Sequence, residues 1–178
     1  MKVTVFGGAG PKPGEPAYLE ALELGRALAL AGHTVLTGGY IGTMEAVSRG
    51  AAEAGGHVIG VTCDEIEAWR SVKPNAWVQE EWRYPSLRQR LFSLMDHCDA
   101  ALALSGGAGT LAEISITWNH LIINALPPRP LVLIGPQWQA AFDQIFASLG
   151  AYVTPRDRTL LTFAPDVSSA VKQLAISS

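Results

Sequence analysis

Short runs of β-prone residues alternate with longer amphipathic stretches along the whole chain. The short runs predict seven strands, and these are KVTVF, HTVLT, HVIGVT, WVQEEW, AALALS, PLVLIG and RTLLTFA. The stretches between them predict helices over 15–31, 42–54, 85–97, 110–124 and 137–149, with a short C-terminal helix starting near Pro165. A strand–helix–strand order of this kind is typical of parallel sheets, whose strands need crossover connections.

Several predicted strands are apolar almost without interruption, for example AALAL and LVLI. A strand that is covered by helices on both faces has this composition, because neither face meets water. We therefore expect a doubly wound, Rossmann-like α/β fold, in which a mainly parallel sheet lies between two layers of helices. Gly32 and the pair Gly55-Gly56 stand where helices are predicted to end, as left-handed C-caps before the next strand.

The domain organisation follows from length and regularity. The 178 residues fit a single nucleotide-binding domain, 1–178, and the chain has neither an internal repeat nor a linker. The least regular segment is DEIEAWRSVKPNA, 64–76. A long connection in this fold is often a flap over a ligand, and the equally weighted alternative is a solvated surface loop.

Composition and charge exclude several classes of partner. The chain is 48% hydrophobic and 16% charged with a net charge of -3, so it lacks the basic excess that binds nucleic acid. No apolar run approaches the roughly 20 residues that cross a bilayer. We expect a soluble, cytoplasmic protein that binds neither nucleic acid nor membranes.

The cysteines and histidines suggest no metal site. Cys63 and Cys98 lie far apart without a CxxC pattern, and the four histidines form neither an HExxH motif nor a close pair. Two isolated cysteines are by default small buried hydrophobic residues. The sequence therefore predicts no structural metal.

Three glycine-rich loops follow three of the predicted strands. They are GGAGPKPG (7–14), TGGYIGTM (37–44) and SGGAGT (105–110). In open α/β sheets the carboxyl ends of the strands share one edge, where free N–H groups at helix starts favour an anion such as a phosphate. None of the loops is a standard nucleotide motif, because the GK[ST] ending and GxGxxG with a suitably placed acid are both absent.

The second and third loops resemble the motifs GGGxxGLM and PGGxGTxxE of the LONELY GUY type phosphoribohydrolases, a family long mislabelled as lysine decarboxylases. The matching residues are Gly38, Gly39, Gly42 and Met44 in the first motif, and Gly106, Gly107, Gly109, Thr110 and Glu113 in the second. The resemblance implies a homodimeric hydrolase without a cofactor. Its substrate would be a nucleoside 5'-monophosphate, cleaved at the N-glycosidic bond to free base and ribose 5-phosphate.

The resemblance implies that Arg90 and Glu113 are the catalytic pair. The residue pattern alone leaves Arg88 and Arg90 equivalent, because both border the apolar stripe of their helix. It also leaves a second interpretation of Glu113, since Thr110 and Glu113 fit a capping box at the start of a helix. As a catalytic group, Glu113 would stabilise the positive charge that develops on the ribose ring and activate water.

The predicted phosphate site combines the glycines of all three loops with one hydroxyl group. Its residues are Gly8, Gly38, Gly39, Gly42, Gly106, Gly107, Gly109 and Thr110. The chain departs from the family at Leu91, where lysine is common, and at Ser105, where the motif has proline. The main alternative is therefore a non-catalytic nucleotide-binding or molybdenum cofactor carrier protein of the same fold. A carboxylate beside an anionic ligand favours the enzyme, because a pure binder gains nothing from that repulsion.

Overall fold

Seven strands form a single parallel sheet in the computed structural model, which describes residues 1–176. The strands are β1 (Lys2–Phe6), β2 (Thr34–Thr37), β3 (Val58–Cys63), β4 (Glu80–Tyr84), β5 (Ala100–Ala103), β6 (Leu131–Ile134) and β7 (Thr162–Ala164). Their order is β4-β3-β2-β1-β5-β6-β7, and every neighbouring pair is parallel. The predicted doubly wound α/β fold is confirmed.

Helices cover both faces of this sheet. They are α1 (Pro16–Leu30), α2 (Thr43–Glu53), α3 (Asp64–Trp69), α4 (Leu87–Asp96), α5 (Ala108–Ile122), α6 (Pro136–Leu149), α7 (Pro155–Arg158) and α8 (Val167–Ile176). Val3 and Val5 of β1 point to a core formed with α1, α2 and α8, and Phe6 belongs to a second core with α4, α5 and α6. Strand residues alternate between two buried faces, which explains the continuous apolar runs.

The structure differs from the predicted elements at the sheet edges. Strand β4 covers Glu80–Tyr84 instead of the predicted WVQEEW, and Glu80, Glu81 and Arg83 are exposed along it. An edge strand meets solvent, so its composition gives no apolar signal. The predicted run RTLLTFA forms only the short strand β7, because the chain before it folds as α7. The segment 64–76 begins with α3, which the sequence pattern missed.

Two of the predicted glycine caps have the expected backbone geometry. Gly32 has φ 76° and Gly55 has φ 79°, both in the left-handed region. Gly56 does not, and a Cβ on it would lie 2.5 Å from the Cβ of Ala29. Gly56 therefore allows close packing against α1 and is not itself a cap.

Helices α1 and α2 cross closely, with a glycine of each helix at the crossing. A Cβ on Gly50 would lie 1.9 Å from the carbonyl oxygen of Leu22, and one on Gly25 would lie 2.1 Å from that of Val47. We expect Gly50→Ala to lower the free energy of unfolding by about 2 kcal/mol, because overpacking outweighs the gain in helix propensity. Urea denaturation of this variant measures the effect.

Gly10→Ala is the matched control, since a Cβ at that position meets nothing within 4 Å. We expect it to unfold at the wild-type urea concentration. A Gly50→Ala protein as stable as Gly10→Ala would show that the helix crossing relaxes without cost.

The structure shows the state of the two cysteines and the character of the helices. Cys63 and Cys98 are both free and buried, as predicted for small hydrophobic residues. No group of three or more potential metal-binding side chains is found among residues 1–176. Over the same residues, no helix combines the length and the apolar character that crossing a bilayer requires.

The strand order reverses between β1 and β5, which are neighbours in the sheet but distant in sequence. The loops after these two strands therefore leave the sheet side by side. They are joined where the backbone N–H of Gly8 donates to the carbonyl oxygen of Ser105 at 3.2 Å. Ligands of open α/β sheets bind in the crevice at such a reversal.

Candidate active site

A cavity of about 460 Å³ lies at this carboxyl edge of the sheet. Its walls come from the loops after β1, β2 and β5, from the start of α4 and α5, and from the segment 64–76. That segment contributes Ile66, Trp69, Arg70 and Val72, so it forms part of the cavity wall and is not merely a solvated loop. A second hollow of about 580 Å³ lies near the amino ends of β6 and β7, away from the predicted site residues.

Four of the predicted binding residues line the cavity directly, and these are Gly8, Gly107, Gly109 and Thr110. A Cβ added to Gly107 or Gly109 would meet no atom within 4 Å, and both residues are exposed. Their backbone is therefore open to a ligand. Thr110 is buried and belongs to the same wall.

The other predicted glycines, Gly38, Gly39, Gly42 and Gly106, are not among the residues that line the cavity. Gly39 and Gly42 have φ 76° and 74°, so the loop after β2 needs residues that accept the left-handed region. A Cβ on Gly42 would lie 2.6 Å from the carbonyl oxygen of Gly8, and one on Gly106 would lie 2.1 Å from the Thr110 hydroxyl oxygen. These glycines allow the three loops to pack closely.

Arg90 is buried at the cavity wall, where backbone carbonyl groups of β3 and of the loop after β2 hold it. Its Nε donates to the carbonyl oxygen of Val61 at 2.7 Å, and its Nη2 donates to that of Gly38 at 3.1 Å. A Cβ on Gly38 would lie 1.9 Å from this Nη2, so glycine is required there. These two hydrogen bonds use part of the guanidinium donors and hold its positive charge at the cavity wall.

The alternative arginine of the same helix has a different environment. Arg88 is exposed, and its guanidinium carbon lies 6.0 Å from the centre of the Phe92 ring. It does not line the cavity, whereas Arg90 does. The structure thus separates two residues that the hydrophobic pattern left equivalent.

The capping-box interpretation of Glu113 is wrong. Helix α5 begins at Ala108 with Gly107 at its N-cap, and no side chain caps it. Thr110 therefore lies inside the helix, where it cannot be the capping residue. Glu113 follows about one turn further along, and it lines the cavity.

Glu113 and Arg90 form an electrostatically coupled pair. Burial raises the pKa of Glu113 to about 7, and the positive charge of Arg90 opposes part of that rise. Within residues 1–176 no hydrogen bond holds the Glu113 carboxylate. A free carboxylate with a pKa near neutrality is suited to accept a proton at physiological pH.

Residues 1–126 match the protein family described as SLOG cluster4. The chain belongs to this family. The resemblance to LONELY GUY type proteins is also confirmed, because curated relatives of this SLOG cluster4 protein are phosphoribohydrolases. LOG1 of Arabidopsis thaliana, a cytokinin riboside 5'-monophosphate phosphoribohydrolase, is 32% identical, and the match covers 86% of this chain and 73% of LOG1. The enzyme of that name from Rhodococcoides fascians is 29% identical, with 95% and 86% covered.

The SLOG cluster4 protein is also similar to a protein of known structure that is named as a carrier and not as a hydrolase. The molybdenum cofactor carrier protein of Chlamydomonas reinhardtii superimposes with a TM-score of 0.73 at 28% identity. The match covers 98% of each chain. The fold is therefore shared with a protein named as a carrier as well as with proteins named as hydrolases.

Several cavity residues of the SLOG cluster4 protein escaped the sequence analysis, among them Tyr40, Ile66, Trp69 and Arg70. Tyr40 occupies a variable position of the motif GGGxxGLM, so the match to the motif did not indicate it. Trp69 and Arg70 belong to the irregular segment, which gave a flap as one alternative but no individual residues. Leu91, which replaces the lysine common in the family, also lines the cavity.

The raised pKa of Glu113 predicts a pH-dependent effect on stability. The folded-state pKa of about 7 exceeds the ordinary 4.5, so the protonated form stabilises the fold below pH 4.5, and this contribution is lost as the pH rises through 7. Glu113→Gln removes the titrating group. We expect the variant to exceed the wild type in free energy of unfolding by about 3 kcal/mol more at pH 8 than at pH 4.5.

Urea unfolding of both proteins at the two pH values measures this difference. Asp143→Asn, on the exposed side of α6, is the control and should show no such change. A constant difference between Glu113→Gln and wild type at both pH values would contradict the raised pKa.

Proposed function

We propose that the protein is a nucleoside 5'-monophosphate phosphoribohydrolase, which releases the free base and ribose 5-phosphate. One observation supports this above all: a carboxylate and a fixed guanidinium line the same cavity, which is bordered by open glycine loops. The relatives named as phosphoribohydrolases support the same reaction. Glu113 is the proposed catalytic carboxylate. The positive charge of Arg90 limits the rise in its pKa.

The proposed step is an addition of water across the N-glycosidic bond. As that bond breaks, its electron pair leaves with the base, and positive charge develops at C1 and the ring oxygen of the ribose. Ionised Glu113 stabilises this charge and takes a proton from the attacking water, whose oxygen bonds to C1. The departing base takes up a proton in turn, so the overall reaction consumes one water.

The proposed phosphate cradle uses the loop after β5. Gly107 and Gly109 expose their backbone, and Thr110 adds a hydroxyl group to the same wall. Backbone N–H groups at the start of a helix attract anions, and α5 begins at Ala108. Gly8 borders this loop, and the close approaches at Gly42 and Gly106 keep the loops in contact. A phosphate here lies about one helical turn from Glu113.

The proposal includes a single nucleotide-binding domain, 1–178, acting as a homodimer in the cytoplasm. The dimer is supported by the family resemblance and by large apolar side chains exposed on the two helices that border the site. These are Leu87 on α4 and Leu111 on α5. Sedimentation at micromolar concentration tests it, and a monomer mass would remove the dimer from the proposal.

The carrier function is the second candidate, favoured by the similarity to the Chlamydomonas carrier protein. Leu91 is also consistent with a carrier, because it replaces the lysine that is common at this position in the hydrolases. The Glu113 carboxylate opposes it, since a half-buried carboxylate beside a phosphate repels that anion and weakens binding unless it serves in catalysis. We therefore place hydrolysis first.

A panel of nucleoside 5'-monophosphates and the matching nucleosides tests the proposal. We expect free base and ribose 5-phosphate in equal amounts from at least one monophosphate, and no base from the nucleosides, which lack the anion for the cradle. Chromatography quantifies the bases. Intact nucleotides throughout, together with tight binding of a phosphorylated pterin, would favour the carrier.

A further inference from the structure

Helix α3 carries an exposed tryptophan at the mouth of the cavity. The Trp69 side chain is 73% exposed, although it is one of the largest apolar groups of the protein. Trp69 and the following residue, Arg70, both line the cavity. A single exposed apolar side chain is common on protein surfaces, but the position of Trp69 on the cavity wall makes its ring available to a bound ligand.

The two side chains form a stacked pair. The guanidinium carbon of Arg70 lies 4.2 Å from the centre of the Trp69 ring, within the range of a cation–π contact. No acidic side chain pairs with Arg70 among residues 1–176. The guanidinium plane is thus held by the tryptophan and remains available to a ligand.

The acidic residues of α3 are engaged elsewhere and anchor the helix. Arg83 of β4 pairs with Asp64 at 2.6 Å and with Glu67 at 2.9 Å. The Glu65 carboxylate accepts a hydrogen bond from the backbone N–H of Leu87 at 2.7 Å. These contacts tie the outer side of α3 to β4 and to the start of α4. The Trp69–Arg70 pair is therefore held at a defined place on the cavity wall.

The rest of the wall limits how a base can be recognised. Apart from Glu113, no carboxylate and no side-chain amide lines the described cavity. Near α3 the wall is apolar, from Ile66, Val72, Leu87 and Leu91. Such a wall offers few partners for the hydrogen-bonding edge of a base, whereas a tryptophan and an arginine offer flat faces to its ring.

We infer that Trp69 and Arg70 form a stacking platform for the base of the bound nucleotide. This inference rests on the proposed function, with the phosphate at the glycine loops and the base toward α3. Stacking selects by ring area and not by edge pattern, because every base has a π-face. The platform therefore accepts both purines and pyrimidines and favours the larger purine ring.

Binding measurements in the Glu113→Gln protein test the platform without turnover. Calorimetry gives the dissociation constants of AMP, CMP and ribose 5-phosphate, the last of which lacks a base. We expect AMP to bind more tightly than CMP, and both more tightly than ribose 5-phosphate. Adding Trp69→Ala is expected to weaken AMP binding about 10-fold and to leave ribose 5-phosphate binding unchanged, and Trp69→Phe retains most of the AMP affinity.

Arg70→Ala is expected to weaken AMP binding in the same selective way. Tyr152→Ala is the control, since Tyr152 is an aromatic residue, 87% exposed, that does not line the cavity. The inference is overturned if the parent binds AMP no better than ribose 5-phosphate, or if Trp69→Ala weakens both ligands equally or neither. Failure of the proposed hydrolysis shows separately, as absence of base release by the wild type with this binding pattern intact.

Discussion

Replacing Glu113 by glutamine is expected to slow base release from a nucleoside 5'-monophosphate by about 1000-fold, the scale of a lost general base. The amide has nearly the shape of the carboxylate, but it neither ionises nor accepts a proton from water. The glycine loops are unchanged, so binding of ribose 5-phosphate should persist. Initial rates and calorimetry on the same preparation give both quantities.

Glu113→Asp retains the acid but withdraws it by one methylene group, and we expect an intermediate loss of rate. Glu23→Gln on α1 controls for the loss of one acidic residue and should keep the wild-type rate. Wild-type rates in Glu113→Gln would show that the carboxylate is not the catalytic group. Equal losses of binding and rate would indicate a damaged cavity.

Replacing Arg90 by methionine is expected to lower the rate of base release by the second largest factor. Arg90→Met leaves the carbonyl oxygens of Val61 and Gly38 without their donor, and it removes the charge that lowers the pKa of Glu113. That pKa then rises further above 7, so less of the carboxylate is ionised at neutral pH. We expect a rate about 100-fold lower at pH 7, with part of the loss recovered at higher pH.

The pH dependence of kcat/KM distinguishes this cause from simple misfolding, which no increase in pH would reverse. Arg88→Met is the matched control, because Arg88 is an exposed arginine of the same helix. We expect it to keep both the rate and the pH profile of the wild type. An Arg88→Met protein that loses activity while Arg90→Met retains it would reverse the assignment.

Much of the fold could be predicted because its central strands are buried on both faces. Strand β1 begins and ends at the predicted residues, and β5 and β6 differ only at their ends. The edge strand β4 was predicted two to three residues too early, since its exposed charges carry no hydrophobic period. Helix α3 was missed because six residues are too few for a helical pattern.

The site was predictable only in part. The glycine motifs predicted that the three loops lie at one edge of the sheet. The role of each glycine, however, depends on packing that the sequence does not give. Gly107 faces open space, whereas Gly38 makes room for Arg90. The preference for Arg90 over Arg88 came from the family and not from the helical pattern. The platform residues Trp69 and Arg70 match no motif, and only the structure brings them to the cavity.

A single-turnover reaction tests the central claim most directly. Wild-type protein is mixed in excess with a nucleoside 5'-monophosphate, quenched over time and analysed by chromatography, so that slow product release cannot hide the chemistry. We expect the bound nucleotide to be converted completely into one equivalent of free base and one of ribose 5-phosphate. Recovery of intact nucleotide from the protein-bound complex would contradict hydrolysis and identify a carrier.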